Sequence, residues 1–576
     1  MEILLVAVIA IVTIAITTAL GQKLGVAGPL LLVGVGLAIA LMPFFPGFVV
    51  DPEWILVGVL PPLLYSSAVS LPAIEFRRDF RPIAGLSVLL VVVSAVILGF
   101  FFAWAIPGLG LAMGIALGAI VSPTDAVATS IVKKLGISPR VVTMLEGESL
   151  LNDATSLVLL RTAIAAVAGG FSFGFAIGSF AWAVLSALIV GALVGFINLR
   201  VRGWLAHSAA NTALSFMVPF AAYLPTEALG GSGLVAAVVA GIITGQGAAR
   251  WFTPDQRLSD ALNWRTVELV LEGGVFLLIG LDLKEVVRAN LEENDGLWHG
   301  TWLALSTLGI VLAVRAAYVA ILIWQQGRRA KRWQHGHTRL TELSAHLDRV
   351  ASEESPPLRP ANDPERHKRR VSLLRRRVTS AVADLDYYRA TPLGWKHGSV
   401  IVWAGMRGVV TLAAAQTLPS DAEHRALLIF VAFLVAVGSL LVQGLSLPAV
   451  VRMLKMEGSG ATYVSREEQT RLDDELRRAA VTALSSPTLL RPNGTEYSPG
   501  VIDRAGSRIT EPPDDDASAL AHEMLELRVQ LIEAMRTRLN TVSTDGTFST
   551  AALRHALAEL DADQLSLELR IYDEEE

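Results

Sequence analysis

The sequence predicts an all-α polytopic membrane protein with about thirteen transmembrane helices and a cytoplasmic helical tail. Three observations carry this. The 576 residues are 52% hydrophobic and only 18% charged, too few charges for a soluble protein of this size. Apolar stretches of about twenty residues, the length of helix that crosses a bilayer core, recur along the first four-fifths of the chain. Every second loop between them is basic, as the positive-inside rule requires of an odd number of spans.

The spans fall near residues 2–20, 24–43, 52–70, 82–106, 109–132, 141–168, 174–200, 209–224, 230–247, 261–282, 297–325, 395–418 and 424–451. The first carries Glu2, lacks a basic leading segment and has no small-residue cleavage site, so it reads as a spanning helix rather than a removed signal. The basic loops hold Lys23; Arg77, Arg78 and Arg81; Lys133, Lys134 and Arg140; Arg200 and Arg202; Arg250, Arg257 and Arg265; the stretch from Arg328; and Arg452 with Lys455. The intervening loops are mostly neutral or acidic, Lys284 and Arg288 excepted. The expected topology is a multi-pass protein of the cell inner (plasma) membrane, N-terminus outside and C-terminal tail cytoplasmic. Four regions follow: spans 1 to 11 in 1–325, a charged cytoplasmic insert of two helices broken at Ser355-Pro356-Pro357 in 326–394, spans 12 and 13 in 395–455, and the tail in 456–576. The tail holds an amphipathic stretch around 464–485, a Pro/Gly/Asp linker near 492–516 and a helical stretch from about 517 to 571. No internal sequence repeat is visible.

Ionisable groups at bilayer depth are costly, so they face a cavity, pair with one another and mark a pathway. The segment Gly147–Ser156 reads GESLLNDATS. At 100° per residue, Glu148 and Asn152 lie about 40° apart on a helix, as do Ser149 and Asp153, and Ser156 falls between the pairs. One face is therefore polar, and Asp153 sits near the middle of its span. The segment Ser122–Ser130 reads SPTDAVATS. Pro123 cannot donate to Ala119 and crowds that turn, so the helix breaks near its midpoint and frees carbonyls beside Thr124 and Asp125. The break suits ion coordination, while a plain kink with Asp125 capping the second half-helix fits as well. In Trp403–Ala415, Arg407 lies mid-span between Gly405 and Gly408 and needs a carboxylate partner. Glu148 is the candidate, so Arg407→Ala is expected to leave Glu148 buried and unpaired. In Val267–Leu283, Glu268 and Glu272 are one turn apart, and Glu272 either lines the ion path or is a protonated structural group.

Together SPTD at Ser122–Asp125, GESLLNDA at Gly147–Ala154, FLLIGLDL at Phe276–Leu283 and GMRG at Gly405–Gly408 resemble the NhaP/NHE branch of the monovalent cation:proton antiporters, over roughly residues 1–450. The resemblance implies a homodimer with inverted repeats, two crossing, partly unwound helices (the fifth and twelfth spans) and elevator-like alternating access. It implies that Asp153 carries cation and proton in turn, that Ser149, Asp125 and the Thr124 carbonyl help bind Na+, and that Glu148 pairs with Arg407. Asn152 stands where the electrogenic branch has Asp, which implies electroneutral exchange of one cation for one proton. Two features depart from the pattern. Archaeal relatives have Glu at the end of a PPLLFE-type motif in the third helix, where this chain has Ser66 after Pro61–Tyr65. Glu272 stands where many relatives have an amide, and is expected to join the cation site in compensation.

Net charge of −5 gives no reason to expect a nucleic-acid partner, and zero cysteines exclude disulfides and thiolate chemistry. There is no Walker A, H-E-x-x-H or G-x-S-x-G pattern, and His522-Glu523 has no second His at the required spacing. A secondary transporter without a cofactor is expected, its partners being protons, Na+ or Li+ (alternatively K+) and the lipid bilayer. An ion channel, or a membrane sensor signalling through the tail, is the reading from a different class.

Overall fold

The structure, a computed structural model, describes residues 2–458 apart from 25–26, 43–51, 170–172, 206, 293–295, 353–373 and scattered positions from 375 to 390, with a few positions beyond 477. The chain divides into two compact units, Met1–Ser459 and Gly460–Glu576. In the second, Ile532, Leu560 and Leu567 form a small buried cluster. The proposed insert break at Ser355-Pro356-Pro357, the 492–516 linker and most of the two tail stretches lie outside the described residues.

The first unit is helical, with no strand among its described residues. Its helices are α1 (Glu2–Leu24), α2 (Gly28–Ala40), α3 (Leu60–Ser70), α4 (Ala73–Arg78), α5 (Phe80–Ala84), α6 (Leu90–Ala105), α7 (Leu111–Ile120), α8 (Val127–Lys134), α9 (Pro139–Gly169), α10 (Phe173–Trp204), α11 (Ser208–Ala228), α12 (Gly233–Trp251), α13 (Pro254–Glu292), α14 (Leu297–Ser352), α15 (Trp395–Trp403), α16 (Val409–Gln416) and α17 (Arg425–Met453). Wide π-helical turns precede α3 and α6. Five of these segments are long and apolar enough to cross a membrane: Phe80–Ala105, Pro139–Val167, Ile177–Trp204, Leu297–Arg328 and Arg425–Met453. Shorter apolar helices, such as Gly28–Ala40 and Gly233–Ala248, accompany them. The sequence reading ends the eleventh span at residue 325, whereas α14 runs on as one helix to Ser352; the charge that begins near Arg328 changes the helix's surroundings and not its backbone.

The helices pack in two groups. In one, α11 and α12 pack on α3, α10 packs on α12 and α11, and α13 lies along α2. The second contact is tight because glycine meets glycine: a Cβ on Gly36 would come within 2.9 Å of the Gly280 Cα. In the other group α6 packs on α7, α7 on α9, and α14 and α16 on α17. The helix α9 touches α3, α10 and α12 as well, so it borders both groups.

Two segments are not helical where the sequence is weakest. The backbone leaves the helix between Ile120 and Val127, around Pro123, and again between Trp403 and Val409, around Gly405 and Gly408. The two stretches meet, with the Asp125 N–H donating to the Met406 carbonyl at 2.8 Å. A Cβ on Gly408 would overlap the Asp125 carboxylate, so only glycine permits this approach.

Some of the basic regions meet: Arg78 and Arg140 both reach the end of the insert. Arg140 is 2% exposed and forks onto the fully buried Asp79, its Nη2 2.8 Å from Oδ1 and its Nε 3.0 Å from Oδ2. It also donates to the Thr391 carbonyl at 2.7 Å and to Gln326 at 3.2 Å. The Tyr387 hydroxyl donates to Asp79 at 3.0 Å, and Arg78 pairs with Asp384 at 2.7 Å. Burial and the Asp79 charge push the Tyr387 phenol far above its ordinary range, which keeps the donor protonated. The Gly458 N–H, just beyond α17, donates to the Leu135 carbonyl beside the same loops.

Removing one partner of a buried ion pair strands the other charge, at a cost of about 3–5 kcal/mol. Asp79→Ala is therefore expected to lower the detergent melting temperature clearly, and Arg78→Ala, which breaks a partly exposed pair, to lower it far less. Equal melting temperatures for Asp79→Ala and the unmodified protein would remove Arg140–Asp79 as the tie of these regions.

Candidate functional site

The single polar face expected of α9 is divided in the structure. Ser149 and Asp153 line a cavity of about 320 Å³, together with Pro123, Thr124 and Asp125 from the first break, Gly408 from the second, and Glu268 and Glu272 from α13. Of the residues expected to bind cation, the cavity thus gathers Thr124, Asp125, Ser149, Asp153 and Glu272. Asn152, Glu148 and Arg407 do not line it.

Asp153 is only 6% exposed, and its Oδ1 has no hydrogen-bond partner among the described residues. A buried carboxylate oxygen without a donor is expensive, and this one belongs to a side chain that borders a cavity large enough for an ion and water. Asp125 lies at the start of α8, where Oδ1 accepts the Val127 N–H at 3.0 Å. Its charge faces the positive end of that helix, so capping and cavity lining coexist in one residue.

Behind the cavity wall the other polar residues of α9 brace it. Asn152 Nδ2 donates to the Thr124 hydroxyl at 2.6 Å, and that hydroxyl is 3.4 Å from Glu148 Oε1. Ser156 bonds back to the carbonyl of Asp153 at 2.9 Å and stays within its own helix.

The expected pairing of Glu148 with Arg407 is not the one formed. The partner of Glu148 is Arg315 on α14: Nη2 lies 2.9 Å from Oε2, and Nη1 bonds Oε1. Both side chains are at most 2% exposed, and Arg315 Nε reaches the Ile401 carbonyl at 3.0 Å. The planar fork of Arg315 meets both carboxylate oxygens, the geometry that makes such pairs strong. Arg407 instead donates to backbone carbonyls at the breaks, from Nε to Val121 at 3.0 Å and from Nη1 to Gly405, and its N–H bonds the Ser439 hydroxyl at 2.8 Å. Helix ends concentrate partial negative charge on such carbonyls, so the guanidinium is balanced by two helix termini. The signal for Arg315 was present in the sequence, as a lone Arg in the apolar run LGIVLAVRAAYVAIL.

Sequence reasoning also passed over Glu146, Lys133 and Glu268 as cavity residues. Ser66, read as the loss of a carboxylate, donates its hydroxyl to Glu268 Oε1 at 2.5 Å.

The stability cost assigned above to Arg407→Ala belongs to Arg315→Ala, about 3–5 kcal/mol for an uncompensated buried Glu148. Thermal unfolding in detergent should show Arg315→Ala strongly destabilised and the Arg315→Ala/Glu148→Gln double variant partly recovered. Coupling of Glu148 to Arg407 in the same cycle, with none to Arg315, would refute the pairing.

Known proteins resemble this chain. The family described as sodium/hydrogen exchanger, transmembrane, matches residues 8–341. An uncharacterized Na+/H+ exchanger of Mycobacterium tuberculosis (strain H37Rv) is 29% identical over 98% of this chain and 96% of its own. The sodium, potassium, lithium and rubidium/H+ antiporter of Bacillus subtilis is 31% identical over 51% of this chain and 45% of its own. Among solved structures, the sodium proton antiporter MjNhaP1 of Methanocaldococcus jannaschii at pH 8 aligns with a TM-score of 0.52 at 16% identity, over 80% of this chain and 98% of that one, which speaks for a shared fold. The chain is thus a multi-pass membrane transporter, not an enzyme, and it belongs to the sodium/hydrogen exchanger family.

Proposed function

We propose that this antiporter exchanges one monovalent cation for one proton, electroneutrally, at Asp153. The observation that carries the proposal is the 94% buried carboxylate whose Oδ1 lacks a donor inside the cavity. A charged carboxylate at bilayer depth costs several kcal/mol, on the order given for intramembrane ions. A proton removes that cost by neutralising the group, and a bare cation removes it by pairing. The two ligands compete for one negative charge, and exchange follows if the empty charged site crosses slowly.

Other residues prepare the site. The Asn152 amide holds Thr124 and brings no second carboxylate beside Asp153, which supports one cation per proton. The Glu148–Arg315 pair is neutral as a unit and stays out of the cavity. Asp125, Ser149, Thr124 and Glu272 supply hard oxygens of the kind that bind Na+ or Li+. The breaks at 121–126 and 404–408 are our candidates for the two crossing unwound helices, within a thirteen-span, inverted-repeat, homodimeric antiporter. The basic regions that meet, through Arg140, Asp79 and Gly458, support a cytoplasmic location for that end, for the insert and for the tail. Glu146 and Lys133 border the cavity at that end.

A K+/H+ exchanger is the second reading, favoured by the Bacillus subtilis relative whose name includes potassium and rubidium. Proton flux driven by Na+, Li+, K+ and Rb+ in the same proteoliposomes separates the two.

Asp153→Asn should abolish cation-driven proton movement in proteoliposomes while the protein stays folded, and full exchange in that variant would sink the proposal. The exchange rate of the unmodified protein should not respond to an imposed membrane potential; acceleration by an inside-negative potential would rule out one-for-one exchange.

A further inference from the structure

The cavity is unevenly charged. Five carboxylates line it, those of Asp125, Glu146, Asp153, Glu268 and Glu272, against one amine, Lys133. A concave surface of one sign with low-dielectric walls raises the local concentration of the opposite ion. Glu268 has a place in this set that the exchange step does not use. It lies one turn, about 6 Å, before Glu272 on α13, toward the helix start that carries Arg257 and Arg265, and so toward the same end as Lys133 and Glu146.

Its carboxylate is held from another helix. The hydroxyl of Ser66 on α3, a residue 5% exposed, donates to Glu268 Oε1 at 2.5 Å. One oxygen is thereby fixed and the side chain stays at the cavity wall, so the rotamer freedom of a long Glu is already spent before any ion arrives. A hydrogen bond from a neutral hydroxyl also leaves the negative charge uncancelled, unlike the Glu148–Arg315 pair. Deeper in the same cavity, Asp153 keeps its buried Oδ1 without a donor, which marks where an ion leaving Glu268 can go.

We propose that Glu268, held by Ser66, is an outer station for the monovalent cation: it pairs with the incoming, partly hydrated ion, sets the affinity for it, and hands it on to Asp153. The proposal rests on the reading of Asp153 as the shared carrier of cation and proton. Glu268 is a binding and positioning residue, and turnover does not depend on it.

The experiment is Na+-driven proton flux by the full chain in proteoliposomes, over a range of Na+ concentrations. Glu268→Gln is expected to raise the KM for Na+ about tenfold, the size of effect that one unscreened carboxylate at the cavity wall gives, with the maximal rate within about twofold. Glu268→Asp keeps the charge and should restore most of the affinity. Ser66→Ala frees the carboxylate and should raise KM about threefold, the loss of one modest hydrogen bond. Added choline chloride should weaken Na+ activation of the unmodified protein more than that of Glu268→Gln, because salt screens only a charge that is present. A tether between α3 and α13 without an ion role would lower the melting temperature and leave KM and its salt dependence unmoved, which overturns the proposal. A maximal rate as low as that of Asp153→Asn overturns it too, since Glu268 would then belong to the carrier step. If Glu268→Gln does not fold, Glu268→Asp and Ser66→Ala decide: an unchanged KM in both is a refutation. Exchange surviving in Asp153→Asn condemns the carrier reading, whereas an inactive Asp153→Asn beside an unchanged KM in Glu268→Gln condemns the outer station alone.

Discussion

Every charge placed inside a hydrocarbon layer has to be paired, hydrated, neutralised by a proton or set against a helix end, and the core of this transporter is arranged by that constraint. Glu148 and Arg315 solve it by pairing, with both side chains almost fully buried and the fork of the arginine on both carboxylate oxygens. Arg407 solves it against the carbonyls of Val121 and Gly405. Asp125 solves it at the start of α8, on the Val127 N–H. Asp153 borders the cavity with a buried Oδ1 that no donor satisfies among the described residues. On the proposed reading, a proton and a cation take that place in turn.

The two helix breaks make these solutions possible. An unbroken helix offers no free carbonyls at mid-membrane, because each is bonded four residues on. Pro123 ends one helix and the glycines at 405 and 408 thin the other. The Asp125 N–H then reaches the Met406 carbonyl, and the absent side chain of Gly408 leaves room for the Asp125 carboxylate. One meeting point therefore supplies Arg407 with acceptors and Asp125 with a helix N-terminus. It also sets the wall on which Thr124 holds α9 through Asn152. Where the basic regions meet, a second set of buried charges, Asp79 with Arg140, ties the short helices after α3 to α9, to α14 and to Thr391 ahead of α15.

Much of this was legible in the sequence because it depends on local geometry. Helical angle alone gathers Glu148, Ser149, Asn152, Asp153 and Ser156 on one polar face of α9, and the structure divides that face, Ser149 and Asp153 lining the cavity while Glu148 and Asn152 brace it from behind. Pro123 announced the first break, and the second was expected only from the family resemblance. What the sequence could not convey was which distant groups meet. Arg407 was rightly seen as a buried cation, yet its partners are backbone carbonyls, which carry no residue signature. The guanidinium that does reach Glu148 sits 167 positions away on α14, within an apolar run that drew no attention. Ser66 looked like a missing carboxylate, and a carboxyl group lies against it, that of Glu268 on another helix. The continuation of α14 beyond the eleventh span was not legible, because hydropathy marks where lipid ends and not where a helix does.

The central claim is that proton and cation share Asp153, and proton release on cation binding tests it most directly. Purified protein in weakly buffered detergent is mixed with Na+, and the protons set free are counted against the Na+ bound. The account predicts one proton released per Na+ bound near the midpoint of the protonation of the site, with the release lost in Asp153→Asn. Binding of Na+ without proton release, or release that persists undiminished in Asp153→Asn, would contradict it.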